Sequence, residues 1–239
     1  RASGCVDGVR ACKDAAEQAL MRDNSALNDE VMRRAAAYLK EGMTEEEGAA
    51  YILEQYRALG CEGPSFPPIV SFGANAADPH HMPDGTRLRA GDCIVLDIGG
   101  KKGGYCSDMT RTFVFGEPSE KLREVHDTVR RANEAARKLV APGVRFCDID
   151  AAARSISEEA GYGSYFTHRL GHQIGLDVHE PGDVSAAHDA PVQAGMVFSI
   201  EPGIYLPGEF GVRIEDLVRV TEDGCEVLNS YPRELVSIG

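Results

Sequence analysis

Two aspartates, Asp97 and Asp108, lie on either side of a glycine- and lysine-rich turn at residues 100–104. Apolar, β-branched runs flank that turn, which is the pattern of a β-hairpin. If the turn centres on residues 102 and 103, the two aspartates face each other across the hairpin with side chains about 5 Å apart. Carboxylates at that separation repel each other unless a cation lies between them. The pair therefore predicts a site for a divalent metal ion.

Three more potential ligands, His172, Glu201 and Glu215, occur later in the chain. Each of the five has an ordinary structural explanation when taken alone, but Glu201 follows the apolar run 197–200, where an unpaired charge is costly. Four carboxylates and one imidazole suit Mn²⁺, Co²⁺, Zn²⁺ or Fe²⁺. Two divalent ions would balance the four negative charges, lower the pKa of a shared water and polarise a carbonyl oxygen.

Helices and strands must position these residues. Helical periodicity and capping residues predict four helices, over residues 11–40, 44–60, 119–141 and 146–161. Strands are expected at 66–73, on both sides of the acidic hairpin, and between residues 197 and 228. Histidine-containing loops are expected at 75–84 and 168–181, and residues 1–10 are interpreted as a linker or tail.

The two halves of the chain share one order of elements: helix, helix, histidine-containing loop, acidic hairpin. Glu201 and Glu215 flank a turn at residues 207–208 much as the two aspartates flank the turn at residues 100–104. His179 corresponds to His80. We infer a diverged internal duplication. The expected fold is α+β, a curved antiparallel sheet with helices on its outer face and the site in the concavity, in one domain over residues 11–239.

Composition excludes several classes of protein. A net charge of −13 and a pI near 5.0 argue against nucleic acid or an anionic membrane surface as partner. No apolar run is long enough to cross a membrane. Seven cysteines without a Cys-x-x-Cys pair predict a reducing cytoplasm rather than a disulfide framework. The chain begins with Arg1 rather than Met, so a preceding domain is an open alternative.

Four segments together resemble the pita-bread metallopeptidases, the family of methionine aminopeptidase, prolidase and aminopeptidase P. They are Asp97…Asp108-Met-Thr-Arg-Thr, Gly171-His-Gln-Ile-Gly-Leu-Asp-Val-His179-Glu, Ser199-Ile-Glu201-Pro-Gly and Val212-Arg-Ile-Glu215-Asp. The resemblance covers about residues 10–235 and implies a two-metal catalytic domain. By resemblance, Asp108 and Glu215 would bridge the metals, Asp97 would complete one shell, and His172 and Glu201 the other. Glu201 would also be the general base.

The same resemblance implies residues that handle the substrate. His80 and His179 would hold it and stabilise the tetrahedral intermediate. His168 matches a histidine typical of the proline-directed branch. Arg213 lies two residues before Glu215 and so shares its strand face. It would bind a substrate carboxylate or buttress the metal cluster, and buttressing is favoured because four nearby carboxylates already explain an arginine there.

The variants within these segments are similar to prolidase and aminopeptidase P, so the expected activity removes the amino-terminal residue of Xaa-Pro peptides. Methionine aminopeptidase is an alternative, although a different environment before the last glutamate is expected there. A non-catalytic binding module and a metal-free relative such as creatinase are disfavoured by the intact ligand set. Mn²⁺ or Co²⁺ is the first expectation and Zn²⁺ or Fe²⁺ the second. Related proteins usually carry a separate amino-terminal domain that helps to close the site and to form the dimer. The length of the substrate and the oligomeric state therefore stay open, with a homodimer as the expectation.

Overall fold

A computed structural model describes residues 3–239. The helices in that part are α1 Ser3–Ala11, α2 Ala15–Tyr38, α3 Glu45–Ala58, α4 Glu120–Leu139 and α5 Phe146–Glu159. The four helices predicted from periodicity are confirmed as α2 to α5. No helix in the described part is long and apolar enough to span a membrane.

Helix α1 lies in the stretch that we expected to be a linker or tail. Its Arg10 donates hydrogen bonds of 2.7 Å to both Asp177 and Glu180, and Lys13, just after the helix, pairs with Glu180 at 2.9 Å. These contacts join residues more than 160 positions apart in the chain, so local sequence could not reveal them. The amino-terminal segment is therefore a helix held against the second half of the chain.

Local capping explains where α3 begins. The Thr44 hydroxyl accepts a hydrogen bond from the Glu47 N–H at 3.1 Å, and the Glu47 carboxylate accepts one from the Thr44 N–H at 2.7 Å. This is the predicted capping box, a type of contact that contributes about 1 kcal/mol to helix stability. At the start of α4 the Ser119 hydroxyl accepts a hydrogen bond from the Leu122 N–H at 3.1 Å.

The strands are short and run mainly antiparallel. They are β1 Gly63–Pro64, β2 Ile69–Phe72, β3 Cys93–Ile98, β4 Gly100–Lys102, β5 Tyr105–Cys106, β6 Met109–Phe115, β7 Gly171–Gln173, β8 Glu180–Val184, β9 Val197–Ile200, β10 Gly203–Leu206, β11 Phe210–Arg213, β12 Asp216–Val220, β13 Cys225–Val227 and β14 Val236–Ile238. One main sheet has the order β14-β6-β3-β2 and the other the order β13-β12-β9-β7-β8. Strand β14 is parallel to β6, whereas we expected a wholly antiparallel sheet.

The two halves repeat one topology. In the first half β2, β3 and β6 pair in that order, and in the second β7, β9 and β12 do the same. Each half inserts a small ribbon, β4–β5 (which β1 also joins) or β10–β11, before its third strand, and in each half two consecutive helices, α2–α3 or α4–α5, precede the strands of the main sheet. The two sheets meet where the Glu215 N–H donates to the Thr110 carbonyl at 3.0 Å. The order of elements thus agrees with an internal duplication.

Helices cover one face of each sheet and leave the other face for the site. On β3, Ile94, Leu96 and Ile98 are buried in a cluster with residues of α2 and α3. Because successive side chains of a strand point to opposite faces, Asp97 lies on the face away from these helices. On β9, Phe198 and Ile200 pack with residues of α4 and α5 in the same way.

The acidic hairpin has a different register from the predicted one. Asp97 pairs with Thr110 rather than with Asp108, which lies in the break between β5 and β6. The turn is formed by Gly103 and Gly104, whose φ angles are 60° and 80°. A turn centred one residue earlier would force a lysine to positive φ, which costs free energy that glycine avoids. The slip is two residues, so the predicted face is unchanged.

Candidate active site

A cavity of about 650 Å³ opens on the faces of the sheets that the helices leave free. All nine residues predicted for the site line it: His80, Asp97, Asp108, His168, His172, His179, Glu201, Arg213 and Glu215. They come from both halves of the chain, so the cavity exists only when the two halves pack together.

The four carboxylates occupy equivalent positions in the two halves. Asp97 is the second-last residue of β3 and Asp108 immediately precedes β6; Glu201 immediately follows β9 and Glu215 immediately precedes β12. Each pair thus lies where a strand of a main sheet gives way to its small ribbon. Such breaks end the regular pairing of the strands and direct the side chains into the cavity.

His172 lies on strand β7 rather than in the loop that we expected. The strand has three residues with a shift in register after His172, too short to produce a period of two in the sequence. The His172 N–H donates to the Ser199 hydroxyl at 2.9 Å, and its ring Nδ1 is 3.2 Å from the Gln173 carbonyl oxygen. Because a carbonyl only accepts, Nδ1 carries the proton and Nε2 keeps its lone pair.

The lone pair of His172 is directed at the acidic cluster. Its Nε2 lies 3.6 Å from Asp108 Oδ2 and 3.5 Å from Glu201 Oε1. Burial lowers the pKa of His172 to about 3, so the imidazole is neutral at physiological pH. A neutral imidazole beside carboxylates is the state in which histidine binds a metal ion.

The residues present fit a pair of divalent cations. Ligand atoms of Asp108, His172 and Glu215 all lie within 4.8 Å of one another. Oδ1 of Asp97 and Oδ1 of Asp108 are buried and have no hydrogen-bond partner among the described residues. Burial, followed by repulsion from neighbouring carboxylates, holds the pKa values of Asp108 and Glu215 well above their usual range. Cations would satisfy the bare oxygens and offset the repulsion.

The model of metallopeptidase family M24 matches residues 19–222. The chain belongs to this family. It is 44% identical over 231 residues to the putative dipeptidase YkvY of Bacillus subtilis. The matched region covers 97% of this chain and 64% of that protein. The chain therefore spans about two thirds of the length of the curated relatives that it matches.

Solved structures show that this M24 chain has the pita-bread fold. A prolidase from Thermococcus sibiricus matches with a TM-score of 0.97 and 41% identity, over 99% of this chain and 65% of that one. A Xaa-Pro dipeptidase from Bacillus anthracis matches with a TM-score of 0.97 and 35% identity, over 98% and 66%. An X-Pro aminopeptidase from Thermotoga maritima matches at 0.95 and 39%, over 98% and 66%.

Arg213 is bound to protein groups at each of its three guanidinium nitrogens. Nη2 donates to Asp97 Oδ2 at 2.7 Å, Nε to the Thr110 hydroxyl at 3.1 Å and Nη1 to the Tyr205 hydroxyl at 2.8 Å. The Thr110 hydroxyl in turn donates to Glu215 Oε2 at 2.8 Å. These contacts favour buttressing of the carboxylates over binding of a substrate.

The three remaining histidines differ in exposure. His80 and His179 are exposed at the cavity, and the His179 ring packs edge-on against the ring of His172 with centroids 4.4 Å apart. His168 is partly buried, and burial lowers its pKa to about 4. Its ring nitrogens lie 2.7 Å from the Arg169 carbonyl oxygen and 2.8 Å from the Tyr205 hydroxyl. A substrate group must replace one of these contacts to bind His168.

Sequence reasoning missed several residues of this M24 site. Thr110 could have been found, because it lies two residues after Asp108 and so shares its face of the strand. Tyr205 gave no signal: it reaches Arg213 across the β10–β11 hairpin and His168 across 37 positions of the chain. The apolar residues that line the cavity and one further arginine also gave no signal in the sequence. They are Phe66, Pro67, Ile69, Met82, Val178 and Arg169.

A second acidic group, formed by Glu45, His81 and Asp84, also has ligand atoms close together. Both carboxylate oxygens of Glu45 are already occupied: Oε1 accepts from the Phe72 N–H at 2.7 Å, and Oε2 accepts from the Asp84 N–H at 3.1 Å and lies 2.7 Å from His81 Nε2. Hydrogen bonding explains this group without a metal. Its effect is to fix the loop that carries His80.

Proposed function

We propose that this chain is the catalytic part of a two-metal exopeptidase that removes the amino-terminal residue from Xaa-Pro peptides. The observation that carries the proposal is that four carboxylates and a neutral histidine converge in one cavity. Two of the carboxylate oxygens, Asp97 Oδ1 and Asp108 Oδ1, are buried there without a hydrogen-bond partner among the described residues. The names of a prolidase, a Xaa-Pro dipeptidase and an X-Pro aminopeptidase among its structural relatives support proline as the second residue of the substrate.

The residues that would hold the two ions are Asp97, Asp108, His172, Glu201 and Glu215. When bound, the ions would supply a Lewis acid for the scissile carbonyl and an acidified water as nucleophile. Mn²⁺ or Co²⁺ is proposed first, with Zn²⁺ or Fe²⁺ second, because an oxygen-rich donor set with a single imidazole suits these ions. Arg213 would hold Asp97 in place and, through Thr110, also Glu215.

Glu201 would take the proton of the attacking water and pass it to the leaving amine. It borders the cavity and accepts a hydrogen bond from the Ser199 hydroxyl at 3.1 Å. Burial raises the pKa of Glu201 to about 7. Bound cations would lower this pKa, so Glu201 would enter the reaction as a carboxylate able to accept a proton.

His80→Ala is expected to lower kcat by about 100-fold, since a lost donor to the transition-state oxyanion has an effect of that order. Metal content should be unchanged, because no hydrogen bond or ion pair joins the His80 ring to a ligand residue in the described chain. The measurements are steady-state kinetics and metal analysis of the purified protein. His188→Ala is the matched control, because its imidazole stacks on Phe146 outside the cavity. An unchanged kcat in His80→Ala would remove His80 from the mechanism.

Hydrolysis of three substrates with added Mn²⁺ or Co²⁺ tests the proposed activity: a Xaa-Pro dipeptide, a longer Xaa-Pro-Xaa peptide and a Met-Ala peptide. Preference for either proline substrate is the expected result. Preference for Met-Ala would replace the proposal with a methionine aminopeptidase. No hydrolysis together with no bound metal would favour a non-catalytic binding module.

We further propose a reducing cytoplasm as the location and a homodimer as the assembly. All seven cysteines are free, which supports the first point. The family resemblance supports the second. Fractionation of cells and light scattering of the purified protein measure these two properties directly.

A further inference from the structure

A free dipeptide brings a charge that this cavity must accommodate. Its α-carboxylate lies one residue beyond the scissile bond, and the two proposed ions leave no net charge to pair with it, because the four carboxylates of the site already balance them. Moving a carboxylate from water into such a site is unfavourable unless a cation pairs with it. A protein that cleaves free dipeptides here therefore needs a positive group at the far side of the substrate.

Two arginines line the cavity, Arg169 and Arg213. Arg213 is 3% exposed and all three of its guanidinium nitrogens already bind Asp97, Thr110 or Tyr205. A substrate carboxylate would have to displace one of these buried contacts. Arg213 is therefore unsuited to a ligand that must enter and leave in each turnover.

Arg169 has the opposite properties. Its side chain is 35% exposed, and its single side-chain contact in the described chain is from Nη1 to Asp183 Oδ1 at 2.7 Å. The remaining donors of its planar guanidinium are free, and that group binds carboxylates through two parallel hydrogen bonds. The Asp183 pair is exposed, so it contributes no more than about 1 kcal/mol and would compete weakly.

The position of Arg169 suits the second residue of a substrate. It lies three residues before His172, so their Cα atoms are at most about 11 Å apart. Asp183, its partner, is also the Cα partner of His172 in the β7–β8 pairing. Arg169 and His179, a residue proposed to hold the substrate, both line the cavity.

We infer that Arg169 binds the free α-carboxylate of a Xaa-Pro dipeptide and so makes the site selective for dipeptides. The inference rests on the proposed Xaa-Pro activity. Each additional residue moves the substrate carboxylate by about 3.3 to 3.6 Å. A tripeptide therefore loses the contact and instead places a neutral peptide group beside the guanidinium.

The test compares Ala-Pro with Ala-Pro amide, which differ only in the charged terminus. In Arg169→Gln the KM for Ala-Pro should rise about 10- to 100-fold, the effect of losing a hydrogen bond to a charged group. The KM for the amide and the kcat for both substrates should stay within about twofold of the unaltered protein, and Arg169→Lys should be intermediate for Ala-Pro. Arg145→Gln is the matched control, because Arg145 also pairs with one aspartate, Asp148, but does not line the cavity.

The outcomes separate the inference from the function on which it rests. Unchanged KM values for both Ala-Pro and its amide in Arg169→Gln would overturn the role of Arg169 and leave the Xaa-Pro activity intact. An equal loss for both substrates would show a structural role and would also overturn it. If the unaltered metal-loaded protein hydrolysed neither substrate nor Ala-Pro-Ala, the proposed activity would fail and the inference with it.

Discussion

Replacing Glu215 by glutamine is expected to abolish turnover and metal binding together. The side chain is buried, and a neutral amide of the same size lacks the negative charge that would offset the charge of the two proposed ions. The loss should exceed the roughly 10- to 100-fold effect of residues that only orient ligands. Hydrolysis of a Xaa-Pro dipeptide and metal analysis of the purified variant measure both properties, and Asp108→Asn should behave alike.

In the metal-free protein the same variant, Glu215→Gln, should stabilise the fold. Burial and the neighbouring carboxylates hold the pKa of Glu215 well above its usual range, so its ionised form is unfavourable in the folded state. Removing that charge should raise the melting temperature at pH 8 in the presence of a chelator. Glu209→Gln, an exposed carboxylate paired with Lys121, is the control and should change neither activity nor metal content. Full activity of Glu215→Gln would exclude the two-metal proposal.

Removal of the metal is the second change with a large expected effect. An ion present at 100 times its dissociation constant stabilises a protein by about 2.7 kcal/mol for each site that it fills. For a chain of this size that amount corresponds to a rise in Tm of about 5 to 11 °C. Scanning calorimetry of the chelated and the metal-loaded protein measures the difference. An unchanged Tm with excess chelator would contradict the carboxylate cluster as a metal site.

The metal-dependent difference in Tm should grow with pH. Burial raises the pKa of Glu201 to about 7 and also raises those of Asp108 and Glu215. A carboxyl group whose folded-state pKa is raised contributes stability below its unfolded pKa, near 4, and loses it as pH rises through the folded value. The metal-free protein should therefore lose the contribution of Glu201 between about pH 4 and pH 7. It should lose those of Asp108 and Glu215 in the same direction, as the pH rises. A metal-induced shift that is as large at pH 5 as at pH 8 would contradict this account.

The positions of the helices were predictable because their signals are local. The spacing of apolar residues in α4 and the capping box at Thr44 act within a few residues, and the structure confirms both. The acidic hairpin was predictable as a hairpin but not in register. Its register depends on which two residues adopt positive φ, and only the Gly103–Gly104 pair does so without strain.

The sequence by itself determined the family, the four helices α2 to α5, the acidic hairpin and the types of the five proposed ligands, because these depend on residue identity and short spacings. Tertiary structure alone decided which groups surround those ligands. Thr110 reaches Arg213 and Arg10 reaches Glu180 across separations of 103 and 170 positions, which leave no local pattern. Tyr205 likewise reaches His168 across 37 positions. Contacts between distant residues depend on how the two halves pack, and the free side of Arg169 became visible only in the cavity that this packing forms.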